Sequence, residues 1–171
     1  MVTEGGGFME TMDCAREKIL EAALHEFGSK GYVKASTNQI HKDAGVSKGL
    51  VFKLFGSKEN LYYQIFVNAL NDMLEQSREV DYTDCTDVFQ KIVKVTAWKL
   101  EYAKEHESAV NLMMEAIGRP PEGLKDKIVS HYASLSKLSI NQFFGDIPMD
   151  NIKECYTLED VIRNIQIAVA G

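Results

Sequence analysis

Residues 36–61, STNQIHKDAGVSKGLVFKLFGSKENL, decide the reading of this chain. Ser36 and Gln39 stand at the S-x-x-Q spacing of a capping box, which starts a helix near Thr37. Ile40 and Ala44, four residues apart, share the inner face of that helix. Gly45 supplies the positive φ of a sharp helix exit, and Val46 is an apolar plug between two helices. Ser47 is a good N-cap for a second helix over Lys48–Phe55, whose inner face is Val51, Leu54 and Phe55. Lys48, Leu50, Phe52 and Lys53 fall on its outer side or edge. Gly56 ends it, and Ser57 caps a third helix with Glu59 in its first turn. Two short helices about a glycine turn, followed at once by another helix, form the layout of a helix-turn-helix.

Charge points to the same segment. Residues 30–58 hold six lysines (30, 34, 42, 48, 53 and 58) and a single acid, Asp43, whereas residues 61–171 carry 11 basic and 17 acidic side chains. The whole chain has a formal net charge of −6. A local basic patch on an acidic protein still attracts a polyphosphate, because the field near the patch governs encounter and counterion release. Lysines on an ordinary helical surface would carry the same charge. Their coincidence with a capped glycine turn favours DNA binding.

Residues 15–62 resemble the N-terminal domain of the tetracycline-repressor (TetR) family of bacterial transcriptional regulators. The matching residues are Ile19, Ala22, Ala23, Phe27, Gly31, Tyr32, Ser36, Thr37 and Ile40, then Ala44-Gly45-Val46-Ser47, Gly49, Phe52, Phe55, Ser57-Lys58-Glu59 and Leu61. The resemblance covers under a third of the chain but is dense. It implies an all-α protein with a three-helix DNA-binding head and a helical ligand-binding and dimerisation body. The expected divisions are a disordered tail over 1–12, the head over 13–58 and the body over 59–171. The family commonly has Tyr where this chain has Phe52 and His where it has Leu54, so two polar contacts are missing.

Composition allows this and narrows the rest. The 171 residues, 45% hydrophobic, suffice for a real core. Cys14, Cys85 and Cys155, an odd number at wide spacings, suit reduced thiols rather than a disulfide framework or zinc site. No apolar run is long enough to span a membrane and no secretory signal pattern opens the chain, so a cytoplasmic location is expected. The Gly-rich start MVTEGGGF reads as disordered, with Met9 or Met12 as alternative natural starts.

Helical periodicity continues throughout. Helix 1 is expected over 13–30 with Ile19, Leu20, Ala23, Leu24 and Phe27 inward and Gly31 just past its end. Helix 4 is expected over 58–79, with Leu61, Ile65, Phe66, Ala69, Met73 and Leu74 inward. After a polar loop over 79–86, a helix over 87–105 has Phe89, Ile92, Val93, Thr96, Leu100 and Ala103 as its expected core face. Further helices are expected over 108–117, 122–144 and 158–170, the last after a loop over 146–156. The family has one more helix, and its last two pair with those of a second subunit. This chain therefore reads as one helix short, either naturally or by truncation, and the apolar stripe Ile162, Ile165, Ile167, Ala168, Val169 favours association.

By resemblance, the helix over 48–55 enters the major groove. Lysine can donate to guanine and an apolar side chain can touch the thymine methyl, which makes Lys48 and Leu50 the leading base readers. Asn38 suits adenine, and Gly49 and Phe52 lie at the contact surface. Thr37, Ser47, Lys53 and Lys58 suit phosphate, with the N-terminal dipole of helix 4 adding to Lys58. A two-fold dimer on a pseudo-palindromic operator is the expected partnership. The body would take a small apolar ligand, lined by Phe66, Phe89, Trp98, Tyr102, Met113, Met114, His131 and Tyr132, although each of these is more ordinarily a core residue. No cofactor or metal is implied.

Two other functional classes compete with this one. An enzyme would need a catalytic constellation, and there is no G-x-S-x-G, phosphate loop, H-E-x-x-H or Cys/His cluster. Glu105, His106 and Glu107 are neighbours on a helix end and point apart. A helical interaction module, or a regulator or activator without ligand control, is the remaining alternative. Phe52 and Leu54 are the residues that favour it.

Overall fold

The computed structural model describes residues 5–144, and every element in them is helical. The order is α1 (Gly5–Lys34), α2 (Thr37–Asp43), α3 (Lys48–Phe55), α4 (Lys58–Ser77), α5 (Val88–Glu105), α6 (Glu107–Gly118), a 3-10 turn (Glu122–Leu124) and α7 (Lys125–Phe144). The expected loop over 146–156 and the helix over 158–170 with its apolar stripe lie outside the described residues.

The first helix departs from expectation at its start. It extends back from Asp13 to Gly5, so residues 5–12 of the expected tail are helical. Once a helix is nucleated each added residue gains one backbone bond, which carries the helix into a segment of poor intrinsic propensity. Its other end behaves as the sequence suggests. Gly31 has φ 73 and ψ 165, and this single non-helical residue breaks the helix before a last turn over 32–34.

A single apolar cluster runs from α1 to the start of α7. It contains Ile19, Ala23 and Phe27 of α1, Ile40 and Ala44 of α2, Val51 and Phe55 of α3, Leu61 to Leu70 of α4, Leu112 and Ala116 of α6, and Ile128 of α7. Phe27, Tyr32 and Tyr62 meet at its centre, with the Phe27 and Tyr32 rings each 5.0 Å edge-on to Tyr62. α1 packs more extensively on α6 than on its own helix-turn-helix. Gly28 makes that possible, since a Cβ there would lie 2.3 Å from the Ser108 carbonyl oxygen.

Glu115 of α6 fastens the same joint. Its carboxylate accepts the Tyr32 amide at 2.9 and 3.1 Å and the Tyr62 hydroxyl at 3.4 Å. The amide it satisfies lies next to the break at Gly31, where no helical carbonyl is in line. Burial, and then the neighbouring Glu115 carboxylate, raise the Tyr62 pKa well above the ordinary tyrosine value.

α5 presents a different face from the one its periodicity suggests. Phe89, Val93 and Leu100 are 67%, 68% and 61% exposed, whereas Lys91, Val95 and Tyr102 are buried. Each of these buried positions lies two residues on from an exposed one, roughly 200° of rotation, so the inner stripe is close to the opposite side of the helix. Lys91 and Tyr102 conceal it in the sequence because their polar tips belong to otherwise apolar side chains. Tyr102 buries its ring and donates its hydroxyl to Asp72 of α4 at 3.0 Å. α5 and α6 are separated only by His106, whose ring stacks on Tyr102 at 4.2 Å.

Candidate nucleic-acid interface

α2 and α3 form a helix-turn-helix whose turn is closed from both sides. Gly45 has φ 66, and the Val46 amide reaches back to the His41 carbonyl at 3.0 Å, the six-to-one bond of a Schellman turn. The His41 imidazole Nδ1 then lies 3.3 Å from the Val46 carbonyl oxygen. Ser47 caps α3 by accepting the Leu50 amide at 3.2 Å, and Ser57 caps α4 by accepting the Asn60 amide at 3.1 Å. Asn60 also donates its side-chain amide to the Phe55 carbonyl at 2.8 Å, which ties off the exposed end of α3.

The expected capping box at α2 does not form. Ser36 makes no side-chain cap, and Gln39 donates forward to Asp43 at 2.8 Å. The Ser36 amide is taken instead by Glu26 of α1, at 2.9 Å. Glu26 is only 3% exposed and forms an ion pair at 2.7 Å with Lys30 one turn later. A buried carboxylate with two partners outcompetes a local serine hydroxyl because leaving it unpaired would be far more costly. Two substitutions separate these roles. Glu26→Ala is expected to cost roughly 1–3 kcal/mol by stranding the Ser36 amide and Lys30. Ser36→Ala is expected to cost much less than the ~1 kcal/mol of an ordinary N-cap. Urea unfolding followed by circular dichroism measures both.

The outer face of α3 is open. Lys48, Gly49, Phe52 and Lys53 are exposed, with Phe52 at 41%, while Val51 and Phe55 anchor the opposite side. Leu50 is half-buried at the edge. The Lys48 ammonium lies 5.9 Å from the Phe52 ring centroid, at the outer limit of a cation–π contact. Asn38 is exposed on α2, and Thr37 is half-buried at its start. Of the nine expected DNA-binding residues, Asn38, Ser47, Lys48, Gly49, Phe52 and Lys53 are exposed, and Thr37, Leu50 and Lys58 are half-buried.

Lys58 stands apart. Its ammonium donates to the Val33 carbonyl at 3.5 Å and sits 4.7 Å from the Tyr32 ring centroid, so it closes the end of α1. The N-terminus of α4 also differs from expectation, because Glu59 already supplies an anion there. Its carboxyl pKa is lowered chiefly by its own backbone amide, then by the Tyr32 and Ser57 hydroxyls. On the far side of Tyr32, burial and then the Glu59 contact push the phenol up to about 12. Arg16 is likewise engaged, over the Phe55 ring at 4.9 Å and hydrogen-bonded to Gln64.

The structure separates the residues expected to line a ligand pocket. A cavity of about 190 Å³ lies between α4, α5 and α7, walled by Leu70, Met73, Ile92, Val95, Leu135 and Phe143 among others. Of the eight expected lining residues only Tyr132 borders it. Phe66, Tyr102 and Met113 are buried in the main core, and Phe89 and Met114 are exposed at 67% and 68%. Trp98 borders a shallow outer groove on α5 instead. His131 packs edge-on against Tyr63 at 6.1 Å, and its Nε2 has no partner. The correction follows from the rotated face of α5 and from the demand of the core for its largest side chains.

Sequence reading did not single out Glu26, His41, Asn60 or Glu115. Glu26 left a signal, an acid at helical spacing on the apolar stripe of Ile19 and Ala23, four residues before a lysine. Glu115 left none, because its partners are 83 and 53 residues away. Among the described residues no helix is long and apolar enough to cross a membrane, and no group of three or more His, Cys, Asp or Glu could hold a metal.

Residues 19–65 match the family model of the bacterial regulatory proteins of the tetR family. The chain is 29% identical over 105 residues to the uncharacterized HTH-type transcriptional regulator YhgD of Bacillus subtilis, covering 61% of this chain and 54% of that protein. It is 25% identical over 145 residues to the HTH-type transcriptional repressor AcnR of Corynebacterium diphtheriae, covering 79% of this chain and 71% of AcnR. It thus spans about half the length of the first of these curated relatives. In fold it is similar to the TetR family transcriptional regulator PfmR of Thermus thermophilus, with a TM-score of 0.62 at 21% identity over 91% of this chain and 82% of PfmR. A helix-turn-helix capped by Ser47 and braced by α1 agrees with the match over residues 19–65: this segment is a head of the kind found in the bacterial regulatory proteins of the tetR family.

Proposed function

We propose that this chain is a sequence-specific transcriptional regulator that represses by binding a pseudo-palindromic operator as a homodimer and is released by a small, largely apolar ligand. The observation that carries the reading is the outer face of α3, where Lys48, Gly49, Phe52 and Lys53 are exposed on a helix whose other side is locked in the core. An α-helix fits the major groove, and exposed cations beside a Cβ-free position allow close approach to bases and phosphates. The repressor designation of AcnR supports repression. The cavity between α4, α5 and α7 supports a ligand in the body. Release requires that the ligand prefer the state that does not bind DNA.

The test is fluorescence anisotropy of the protein against a random pool of short duplexes at two salt concentrations, with sequencing of the bound fraction. Enrichment of a palindrome with strongly salt-dependent affinity is the expected result. No binding at either salt would sink the reading. A sharper variant is Gly49→Ala. A Cβ at Gly49 meets nothing within 4 Å, so the free protein should gain roughly 0.5–1 kcal/mol from helix propensity. Operator affinity should fall nonetheless, because the added methyl stands where the groove edge approaches. Thermal melting and anisotropy on the same samples check both signs.

A further inference from the structure

The cavity between α4, α5 and α7 is lined by both apolar and polar side chains. Thr96 and Lys99 line it from α5, and Tyr132, Ser136 and Ser139 line it from α7. On each helix these residues recur at spacings of three or four, so each set forms a strip along one helix. Among the described residues Lys99 has no ion pair or hydrogen bond, nor have the Ser136 and Ser139 hydroxyls. Lys99 as a whole is exposed, yet the surroundings of its ammonium group are apolar enough that desolvation holds its pKa below the usual lysine value. An uncompensated cation at a largely apolar cavity that also carries unpartnered hydroxyls suits an anion attached to a hydrocarbon.

We infer that the ligand of this cavity is a small carboxylic acid, with its carboxylate held by Lys99 and the Ser136 and Ser139 hydroxyls and its hydrocarbon against Ile92, Val95 and Phe143. The inference rests on the reading of the cavity as the effector site and adds the chemical class of the effector. The volume of about 190 Å³ sets the size. It is somewhat larger than an engineered cavity of about 150 Å³ that holds benzene, which suits a medium-chain or aryl-alkyl acid. A neutral hydrocarbon of that size would leave Lys99 as desolvated as before. A cationic ligand would be repelled.

The test is isothermal titration calorimetry of the wild-type chain, Lys99→Met and Lys99→Arg with octanoate and with octanamide, which share a chain length and differ in charge. The wild type and Lys99→Arg are expected to prefer octanoate by roughly tenfold, the scale of one charge-assisted bond, and Lys99→Met to lose that preference while binding octanamide as before. Equal affinity for acid and amide in the wild type overturns the inference, and so does failure of either to bind. An acid preference that survives in Lys99→Met overturns the assignment to Lys99. Operator binding is followed separately by anisotropy. Lys99-dependent octanoate binding with no change in DNA affinity would uphold the ligand class and sink ligand control.

Discussion

Gly28→Ala is expected to lower the thermal midpoint by several degrees, against the usual sign of a glycine-to-alanine change within a helix. Intrinsic propensity favours alanine by roughly 0.5–1 kcal/mol. At Gly28 a Cβ would sit 2.3 Å from the Ser108 carbonyl oxygen and 2.8 Å from two further backbone atoms of that residue. These atoms belong to the first turn of α6, so relief requires a shift of the whole helix rather than a rotamer change. Overpacking of this kind costs typically 1–3 kcal/mol. The steric term outweighs propensity, and in a chain of this size each kcal/mol lowers the midpoint by roughly 2–4 °C. Differential scanning calorimetry on Gly28→Ala beside Gly49→Ala compares a closed glycine with an open one. If both variants melt higher than the wild type, the close packing of α1 on α6 is wrong.

The second large effect concerns DNA. Lys48→Ala is expected to weaken the preferred operator by roughly 1–3 kcal/mol and to relax preference at the base pair it reads. Lys53→Ala is expected to weaken all sequences alike and to flatten the slope of log affinity against log salt by about one unit. Lys58 is the poorer probe of phosphate contact, because it also closes the end of α1 over Val33 and Tyr32. Its replacement by alanine combines a lost charge with a loosened head. Anisotropy against the operator and a scrambled duplex, across a salt series, separates the two lysines. Identical behaviour would abolish the division between base and phosphate readers.

The helix-turn-helix was legible because its determinants are local. Gly45, Ser47, Gly56 and Ser57 act on residues within one turn of themselves, and the predicted bounds of α3 match the observed ones. The body was less legible. Its helices follow from periodicity, but the face each one presents depends on neighbours far away in sequence. On α5 a lysine and a tyrosine sit where an apolar pattern has a gap, so Phe89, Val93 and Leu100 look like the core and are not. Of the residues expected to line a ligand site only Tyr132 borders the cavity, for the same reason. Aromatic size marks a residue for burial, whereas the cavity is bounded by Lys99, Thr96 and two serines that composition does not distinguish. The substitution of Glu26 for the capping box shows the limit even in the head, since a sequence motif proposes a hydrogen bond and a better acceptor can take it.

The Tyr32 amide, held by Glu115, has a consequence for the breathing of the molecule. That proton belongs to the end of α1 but is guarded by α6, so its hydrogen-exchange rate reports the separation of head from body rather than the fraying of its own helix. With Phe27, Tyr62 and Leu112 in one continuous cluster, the head has no private core to fall back on. It should exchange in step with α6, as a single cooperative unit, and a fragment cut just after α3 should not hold its shape in solution.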